Sequence, residues 1–333
     1  MRKINKYLMQ VLLSLYICLI ITSCNNLTKS SYPDIEFNQK ASLPEGGRSS
    51  AVGFAINGKG YVALGRTGTR LGFLKDCWEY DPTLDTWTAK ADFPGAARVK
   101  AIAAVVDSNA YVGLGFGNDE VYQNNGYFKD FWMYNPSLNK WKQKADFPSA
   151  STDACVSFVY KNNIYVGSGY DGYGFKDDFW KYDPKKDSWT QLSVFPGASR
   201  SGAVICTNGD CVFFGTGFRA RNINDWWEYF PETDTWKKVK SIPDSGRENA
   251  VALCVNNRYL VSTGQFFGGD LTVGHVKSDI LEYDATLNVW YNRGNIPNGK
   301  RQNAIAFTIN GKGYIGFGEN NSMVFNDFYS FEP

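Results

Sequence analysis

The 333 residues allow one large domain or two ordinary ones, and a hydrophobic content of 43% is enough for a sizeable core. Aromatic residues at 16%, with 33 glycines and 12 prolines, indicate a β-rich, turn-rich globular protein rather than a disordered chain or a coiled coil. The formal net charge of +2 provides no general case for binding nucleic acid or an anionic membrane surface. We therefore predict no nucleic-acid partner.

Residues 1–23 have the features of an export signal. The basic start "MRKINK" precedes an apolar stretch from Leu8 to Ile21, which is too short for a comfortable membrane span but suits a signal-peptide core. The stretch leads into "IITSC", which resembles a bacterial lipoprotein signal. The resemblance implies a mature chain that starts at a lipidated Cys24, with residues 24–34 as a tether. The alternative is an ordinary secretory signal cut near Ser23, and both alternatives predict export.

A unit of four short strands recurs along the rest of the chain. A tryptophan lies seven residues before a proline in phrases such as "WTAKADFP" and "WKQKADFP", and the unit repeats every 47 to 54 residues. After each proline come an alternating apolar run, a polar turn such as "INGKG", a second run ending in Gly-x-Gly or its variant, a variable loop, an Asp-aromatic strand and the tryptophan strand. The tryptophans are Trp87, Trp141, Trp189, Trp236 and Trp290. We predict that they pack the core or the contacts between units.

These units resemble kelch repeats, which implies an all-β protein, a β-propeller with one repeat per blade. Six units start at Pro44, Pro94, Pro148, Pro196, Pro243 and Pro297, but the sixth has only three strands before the chain ends. Phe37 lies seven residues before Pro44, in the position of the missing tryptophan strand. We therefore predict a six-bladed propeller over residues 35–333, in which the N-terminal strand pairs with "DFYSF" and completes the last blade.

Five arginines occupy the same position in their blades, four residues after the proline. The six residues at this position are Arg48, Arg98, Thr152, Arg200, Arg247 and Arg301. A ring of guanidinium groups at a channel mouth would favour a carboxylate or sulfate ligand. The alternative is structural, because a residue repeated in each blade serves each blade, and these arginines could bind carbonyl groups of the next blade.

The variable loops that follow the second strands are predicted to share one face, where a ligand would bind. Their candidate ligand-binding residues are Arg70, Tyr122, Tyr170, Tyr173, Phe218, Arg219, Arg221 and Phe266, and the candidate acid/base residues are Asp119, Glu120, Asp171, Glu248, Asp270 and Glu319. The one histidine of the chain, His275, is in a Gly-rich loop. A single histidine in a loop does not indicate a catalytic triad.

Five cysteines follow Cys24, and they lack the spacing of a zinc site. We predict no metal and no cofactor. Cys206 and Cys211 flank the turn "TNGD", so a disulfide across this hairpin is one option. Cys77 occupies the position of Phe131 and Phe179 in other units, which predicts a buried thiol.

Two functions remain open, and the sequence favours the first. It is a monomeric, non-catalytic binding module that presents its loop-rich face to a glycan, a peptide or a partner protein. It would lie in the cell envelope, with the outer membrane expected and the lipid as its one membrane contact. The second is a sugar epimerase or mutarotase, as implied by a resemblance to the kelch-type bacterial sialic acid epimerases, which also have six blades and are exported.

Overall fold

The computed structural model describes residues 33–68, 72–119, 124–150, 152–267 and 274–333. These residues form six four-stranded antiparallel sheets, which we number as blades 1 to 6, and three small sheets in the loops. The signal, Cys24 and most of the tether lie outside the described residues. In the part that is described, no helix is long and apolar enough to cross a membrane.

In chain order the strands are β1 (Phe37–Lys40), β2 (Val52–Ile56), β3 (Lys59–Ala63), β4 (Cys77–Asp81), β5 (Thr86–Lys90), β6 (Ala97–Val99), β7 (Ile102–Val106), β8 (Asn109–Gly113), β9 (Phe116–Asp119), β10 (Asn124–Tyr127), β11 (Phe131–Asn135), β12 (Lys140–Lys144), β13 (Val156–Tyr160), β14 (Asn163–Gly167), β15 (Phe179–Asp183), β16 (Ser188–Gln191), β17 (Val204–Thr207), β18 (Val212–Gly215), β19 (Phe218–Arg219), β20 (Arg221–Asn222), β21 (Trp226–Phe230), β22 (Thr235–Val239), β23 (Val251–Val255), β24 (Arg258–Ser262), β25 (Gln265–Phe266), β26 (His275–Val276), β27 (Asp279–Asp284), β28 (Val289–Asn295), β29 (Ile305–Ile309), β30 (Lys312–Gly316) and β31 (Phe328–Phe331). Blades 1 to 6 are β2–β5; β7, β8, β11 and β12; β13–β16; β17, β18, β21 and β22; β23, β24, β27 and β28; and β29–β31 with β1.

The burial of each strand follows its place in the blade. The first strands, such as β2, alternate buried and half-buried side chains, and they pack against one another in circular order around an axis. The second strands are buried almost throughout, as in β3. Four outermost strands, β5, β12, β16 and β22, are mostly exposed, and β12 carries three lysines along such an edge. Charged outer edges of this kind disfavour pairing with another chain.

The N-terminal strand completes the last blade, as predicted. β1 pairs antiparallel with β31, with Phe37 opposite Phe331 and Lys40 opposite Phe328. The rings of Phe37 and Phe331 are 5.2 Å apart. The first and last strands of the chain therefore lie side by side in blade 6.

Six backbone hydrogen bonds close a circle around the axis. They run from the amide of Lys100 to the carbonyl of Ser50 (3.0 Å), Ala154 to Lys100 (3.1 Å), Gly202 to Ala154 (3.1 Å), Asn249 to Gly202 (2.9 Å), Asn303 to Asn249 (2.9 Å) and Ser50 to Asn303 (3.0 Å). We call these six residues the axial ring. Its five non-glycine members have φ between 51° and 55°, a left-handed conformation that L residues adopt only when their surroundings hold them there.

A second repeated contact joins the outer ends of neighbouring blades. The indole Nε1 of Trp141 donates to the carbonyl of Ala91 in the preceding blade at 2.9 Å, and Trp87, Trp189 and Trp290 make the equivalent bond. Asn139 accepts from the amide of the same Ala91 at 2.9 Å. The tryptophans are therefore part of the scaffold between blades, as the sequence predicted.

The cysteines correct one expectation. Cys77 is buried, as predicted, but Cys206 and Cys211 are free thiols, so the disulfide across their hairpin is absent from the structure. The strand partner of Cys206 is Phe213. Within the described ranges, no group of three or more His, Cys, Asp or Glu residues is placed to hold a metal ion.

Candidate functional site

The arginines do not form an open ring of guanidinium groups. Arg48, Arg98, Arg200, Arg247 and Arg301 are at most 1% exposed. Arg98 donates to both carboxylate oxygens of Asp130, at 2.5 and 2.9 Å, and to the carbonyl of Leu114 at 3.0 Å. The other four make the same contacts with Asp76, Asp225, Asp279 and Asp327 of their own blades. We call each of these arginine–aspartate pairs a clasp.

The clasp corrects the prediction of an anion site built from these arginines. Each guanidinium binds within its own blade, whereas the structural alternative placed its partners in the next blade. The backbone carbonyl makes the contact between blades, because Arg98 accepts from the amide of Gly65 at 2.9 Å. Thr152 has no such role: its hydroxyl contacts the thiol of Cys155 at 3.0 Å, and Asp178 of the same blade binds the indole of Trp180 at 2.8 Å.

The residues that surround the channel opening follow the clasp arginines by one and two positions. The axial ring lines a cavity of about 120 Å³, and alanines and Cys155 line the channel beneath it. Above the ring, six residues bridge to the loops in the pairs Ser49 and Arg66, Val99 and Phe116, Asp153 and Tyr170, Ser201 and Phe218, Glu248 and Gln265, and Gln302 and Glu319. We call the axial ring and these pairs the mouth.

Two carboxyl groups of the mouth, those of Asp153 and Glu248, are influenced by the charge of the same lysine, Lys100. Burial raises the pKa of Asp153, and the ammonium group of Lys100 opposes the shift. Burial likewise raises the pKa of Glu248, and a hydrogen bond from Gln265 and the charge of Lys100 oppose it. Carboxyl groups held in this way exchange protons closer to neutral pH than exposed ones do. The third carboxylate, Glu319, is bound by Arg66 at 2.7 and 2.8 Å.

Aromatic rings cover much of the same face. Seven rings, each 5.0 to 6.3 Å from the next, form a belt that runs through Phe73, Phe116, Tyr127, Tyr170, Phe175, Phe218 and Phe267. Burial and the nearby Asp153 raise the pKa of Tyr127 to about 12, so its hydroxyl stays protonated. Rings of this kind stack on sugars and on apolar groups of a ligand.

The other predicted site residues are spread over the loop face. Tyr173 is 99% exposed on a turn whose amides bind Asp171, and Asp171 also pairs with Lys176 at 2.5 Å. Arg219 and Arg221 are exposed and paired on a short hairpin. Phe266 lies 5.7 Å from the ammonium of Lys277, and His275 is exposed opposite it. Outside the described residues lie Arg70, Tyr122, Glu120, Asp270 and the side chain of Asp119.

Sequence reasoning therefore identified part of the mouth. It named Tyr170, Phe218, Glu248 and Glu319, which the structure brings to the channel opening. It missed Lys100 and Asp153. The sequence does hold a signal for them, because each is a charged residue one or two positions after the repeated arginine position. The residue type at these positions differs from blade to blade, so the repeat pattern does not single them out.

The six sheets around one axis define a β-propeller, and the sequence matches the family model for the KLHDC2/KLHL20/DRC7 Kelch-repeats domain over residues 122–264. The chain is thus a β-propeller, and residues 122–264 of it match a kelch-repeat domain. It also resembles the solved structure of YjhT, with a TM-score of 0.77 and 20% identity over 87% of this chain and 96% of that one.

Two curated relatives carry the name of an enzyme. The chain is 35% identical over 129 residues to the N-acetylneuraminate epimerase of Pasteurella multocida (strain Pm70), which is 38% of this chain and 30% of the relative. It is 29% identical over 115 residues to N-acetylneuraminate epimerase 1 of Escherichia coli O6:H1, which is 34% and 29% respectively. The matched region spans less than a third of either relative.

Proposed function

We propose that the mouth binds an acidic sugar of the sialic acid type and catalyses the interconversion of its anomers. The observation that carries this proposal is that two mouth residues, Asp153 and Glu248, have carboxyl groups with raised pKa, while Lys100, whose charge acts on both, lines the axial cavity. The partial similarity to two N-acetylneuraminate epimerases supports the same substrate class.

Anomer interconversion needs one proton acceptor and one proton donor. The bond between the anomeric carbon and the ring oxygen breaks while a base takes the proton of the anomeric hydroxyl and an acid protonates the ring oxygen. The open chain then recloses on the other face. Asp153 and Glu248 supply the two roles between them, because a raised pKa keeps each carboxyl group able to hold or release a proton.

Lys100 supplies the anion site of this proposal. Its ammonium group binds the carboxylate of the sugar, in the role that the sequence had assigned to the arginines. Once the sugar carboxylate neutralises this charge, Lys100 lowers the pKa values of Asp153 and Glu248 less than it does in the free protein. Substrate binding therefore raises their pKa values further and favours the protonated acid.

The test is the rate at which freshly released N-acetylneuraminic acid, present as one anomer, equilibrates in proton NMR spectra. We expect the wild type to accelerate the exchange and Asp153→Asn and Glu248→Gln each to lose about a hundredfold of the acceleration. Asp171→Asn is the matched control, because Asp171 pairs with Lys176 outside the mouth. Equal acceleration in all four proteins would contradict the assignment.

A non-catalytic binding module is the second candidate, and the 99% exposure of Tyr173 beside the aromatic belt favours it. Exposed aromatic rings on a rigid turn are suited to contact a glycan or a partner protein. Line broadening of the sugar signals without faster anomer exchange would select this candidate. The absence of both effects would exclude a sialic acid ligand.

A further inference from the structure

Three of the free thiols lie at the interface between blades 4 and 5. Cys206 is in β17 of blade 4, Cys211 lies just before β18, and Cys254 is in β23 of blade 5. All three belong to, or pack against, one hydrophobic cluster that the two blades share. A free thiol in such a cluster acts as a small apolar side chain, so packing alone does not require cysteine at any of these positions.

The other blades show how Cys206 and Cys254 are placed. By strand register, Phe54 of blade 1 holds the position of Cys206, and Val105 of blade 2 holds the position of Cys254. Phe54 and Val105 share one core cluster between their blades. The same holds for Ala104 with Val159 and for Phe307 with Ala55. Because side chains alternate along a strand, the first residue points at the next blade and the second points back, which directs Cys206 and Cys254 toward each other.

The inner strands of neighbouring blades approach each other closely at this level. Thr308 of blade 6 holds the position of Cys254, and its hydroxyl donates to the carbonyl of Cys254 at 2.8 Å. The hydroxyl of Ser157 in blade 3 likewise donates to the carbonyl of Ala103 in blade 2 at 3.0 Å. Burial raises the pKa of Cys206 well above its ordinary value, and charge on the nearby Cys254 adds to this shift.

We propose that Cys206 and Cys254 form a reversible disulfide that joins the inner strands of blades 4 and 5. The interface between these blades is where the repeat has cysteine at both facing positions. Cys254 is partly exposed, so an oxidant can reach it, while Cys206 is 4% exposed and needs to reach no further than Cys254. The export predicted from the sequence would bring the chain into a compartment where such bonds form. The bond is independent of the sugar chemistry proposed for the mouth.

The oxidant is itself a disulfide, that of a thiol–disulfide oxidoreductase or of oxidised glutathione. The thiolate of Cys254 attacks one sulfur of that disulfide and expels the other as a thiolate. The thiolate of Cys206 then attacks the Sγ of Cys254, which forms the new bond and expels the second thiolate of the oxidant. Two protons leave the cysteines, and two electrons pass to the oxidant. Burial raises the pKa of Cys254 to about 11, so the reaction should become about tenfold faster with each unit of pH from about 7 to 9.

The test treats the folded protein with oxidised glutathione, alkylates the remaining thiols in urea and maps the disulfide-linked peptides by mass spectrometry. We expect one linked pair, Cys206 with Cys254, and alkylated Cys77 and Cys211. The mapping uses the wild type, so no variant has to fold. Oxidation should also raise the midpoint of urea unfolding by about 0.5 M or more, because the bond restricts the unfolded chain, and dithiothreitol should reverse this shift.

Cys211→Ser is the matched control, because the thiol of Cys211 faces the same interface but binds the hydroxyl of Tyr259. This variant should keep both the linked pair and the shift of the urea midpoint, whereas Cys206→Ala and Cys254→Ala should lose both. A linked pair that includes Cys211 would overturn the proposal. So would alkylation of both Cys206 and Cys254 after oxidation of the wild type, or a midpoint shift that persists in Cys254→Ala.

Discussion

Arg200 of blade 4 and Glu248 of blade 5 occupy neighbouring positions in the repeat pattern, and they serve different purposes. The arginine position turns into the blade and binds an aspartate, whereas the residue after it bridges to the loop above the channel. Successive side chains of an extended chain point to opposite sides. A shift of one residue therefore separates scaffold from site, and the repeat pattern alone does not indicate which side faces the axis.

The clasp should contribute strongly to stability in each blade that has it. Arg200→Met leaves the carboxylate of Asp225 without its cation, so we expect a loss of about 3 to 5 kcal/mol in the free energy of unfolding by urea. Thr152→Ala is the matched change at the blade that lacks a clasp, and it should cost less than about 1 kcal/mol. Equal losses in the two variants would show that the clasp is not the stabilising contact.

Asp153 should make the stability of the protein depend on pH. Its pKa is raised from 3.8 in the folded state, so the folded protein holds this proton more tightly than the unfolded chain does. The resulting stabilisation is present below pH 3.8 and is lost as the pH rises through the folded pKa.

Asparagine cannot ionise, so Asp153→Asn should not suffer this loss. We expect the variant to be more stable than the wild type at neutral pH by about 1 kcal/mol, with the difference disappearing in acid. Urea unfolding at several pH values checks this expectation. A difference that stays constant with pH would mean that Asp153 has an ordinary pKa.

At the scale of the strands, the outer bonds between blades offer a matched comparison. Trp141 and Trp236 occupy the same position in two blades, but only the indole of Trp141 has an acceptor, the carbonyl of Ala91. The Nε1 of Trp236 is buried without a partner. The two tryptophans therefore differ in a hydrogen bond while they share their packing role.

Replacing each tryptophan by phenylalanine separates these contributions. Trp141→Phe should cost about 1 kcal/mol more than Trp236→Phe, because the first change leaves a carbonyl unpaired and the second removes an unpaired donor. Thermal or urea unfolding of the two variants measures the difference. The opposite order would indicate that ring volume, and not the indole bond, determines the cost.

The strands of the blades were predictable and those of the loops were not. Each blade strand has a repeated pattern, and the position of Phe37 before Pro44 indicated the pairing of β1 with β31. The short hairpins β9–β10, β19–β20 and β25–β26 lie in the variable loops, whose length and sequence differ from unit to unit. Their pairing depends on local contacts that periodicity does not reveal.

For the whole molecule, closure of blade 6 is the contact on which the ring depends. Removing residues 33–40 would expose the edge of β31 and the side of Phe331 that Phe37 covers. We expect the shortened chain to lose more than about 3 kcal/mol and to self-associate, relative to a chain that begins at Pro33. Sedimentation and urea unfolding test this, and a stable monomer would contradict it.

The lipid on Cys24 stays a prediction, which mass spectrometry of the mature N-terminus can test.

We propose that Lys100 at the mouth, and not the set of buried arginines, binds an acidic sugar. The most direct measurement compares the affinity of folded Lys100→Met and Arg200→Met for N-acetylneuraminate, with neutral N-acetylmannosamine as the control sugar. We expect Lys100→Met to weaken acid binding about tenfold or more and to leave the neutral sugar unaffected, while Arg200→Met binds as the wild type does. Loss of binding in Arg200→Met together with normal binding in Lys100→Met would contradict the account.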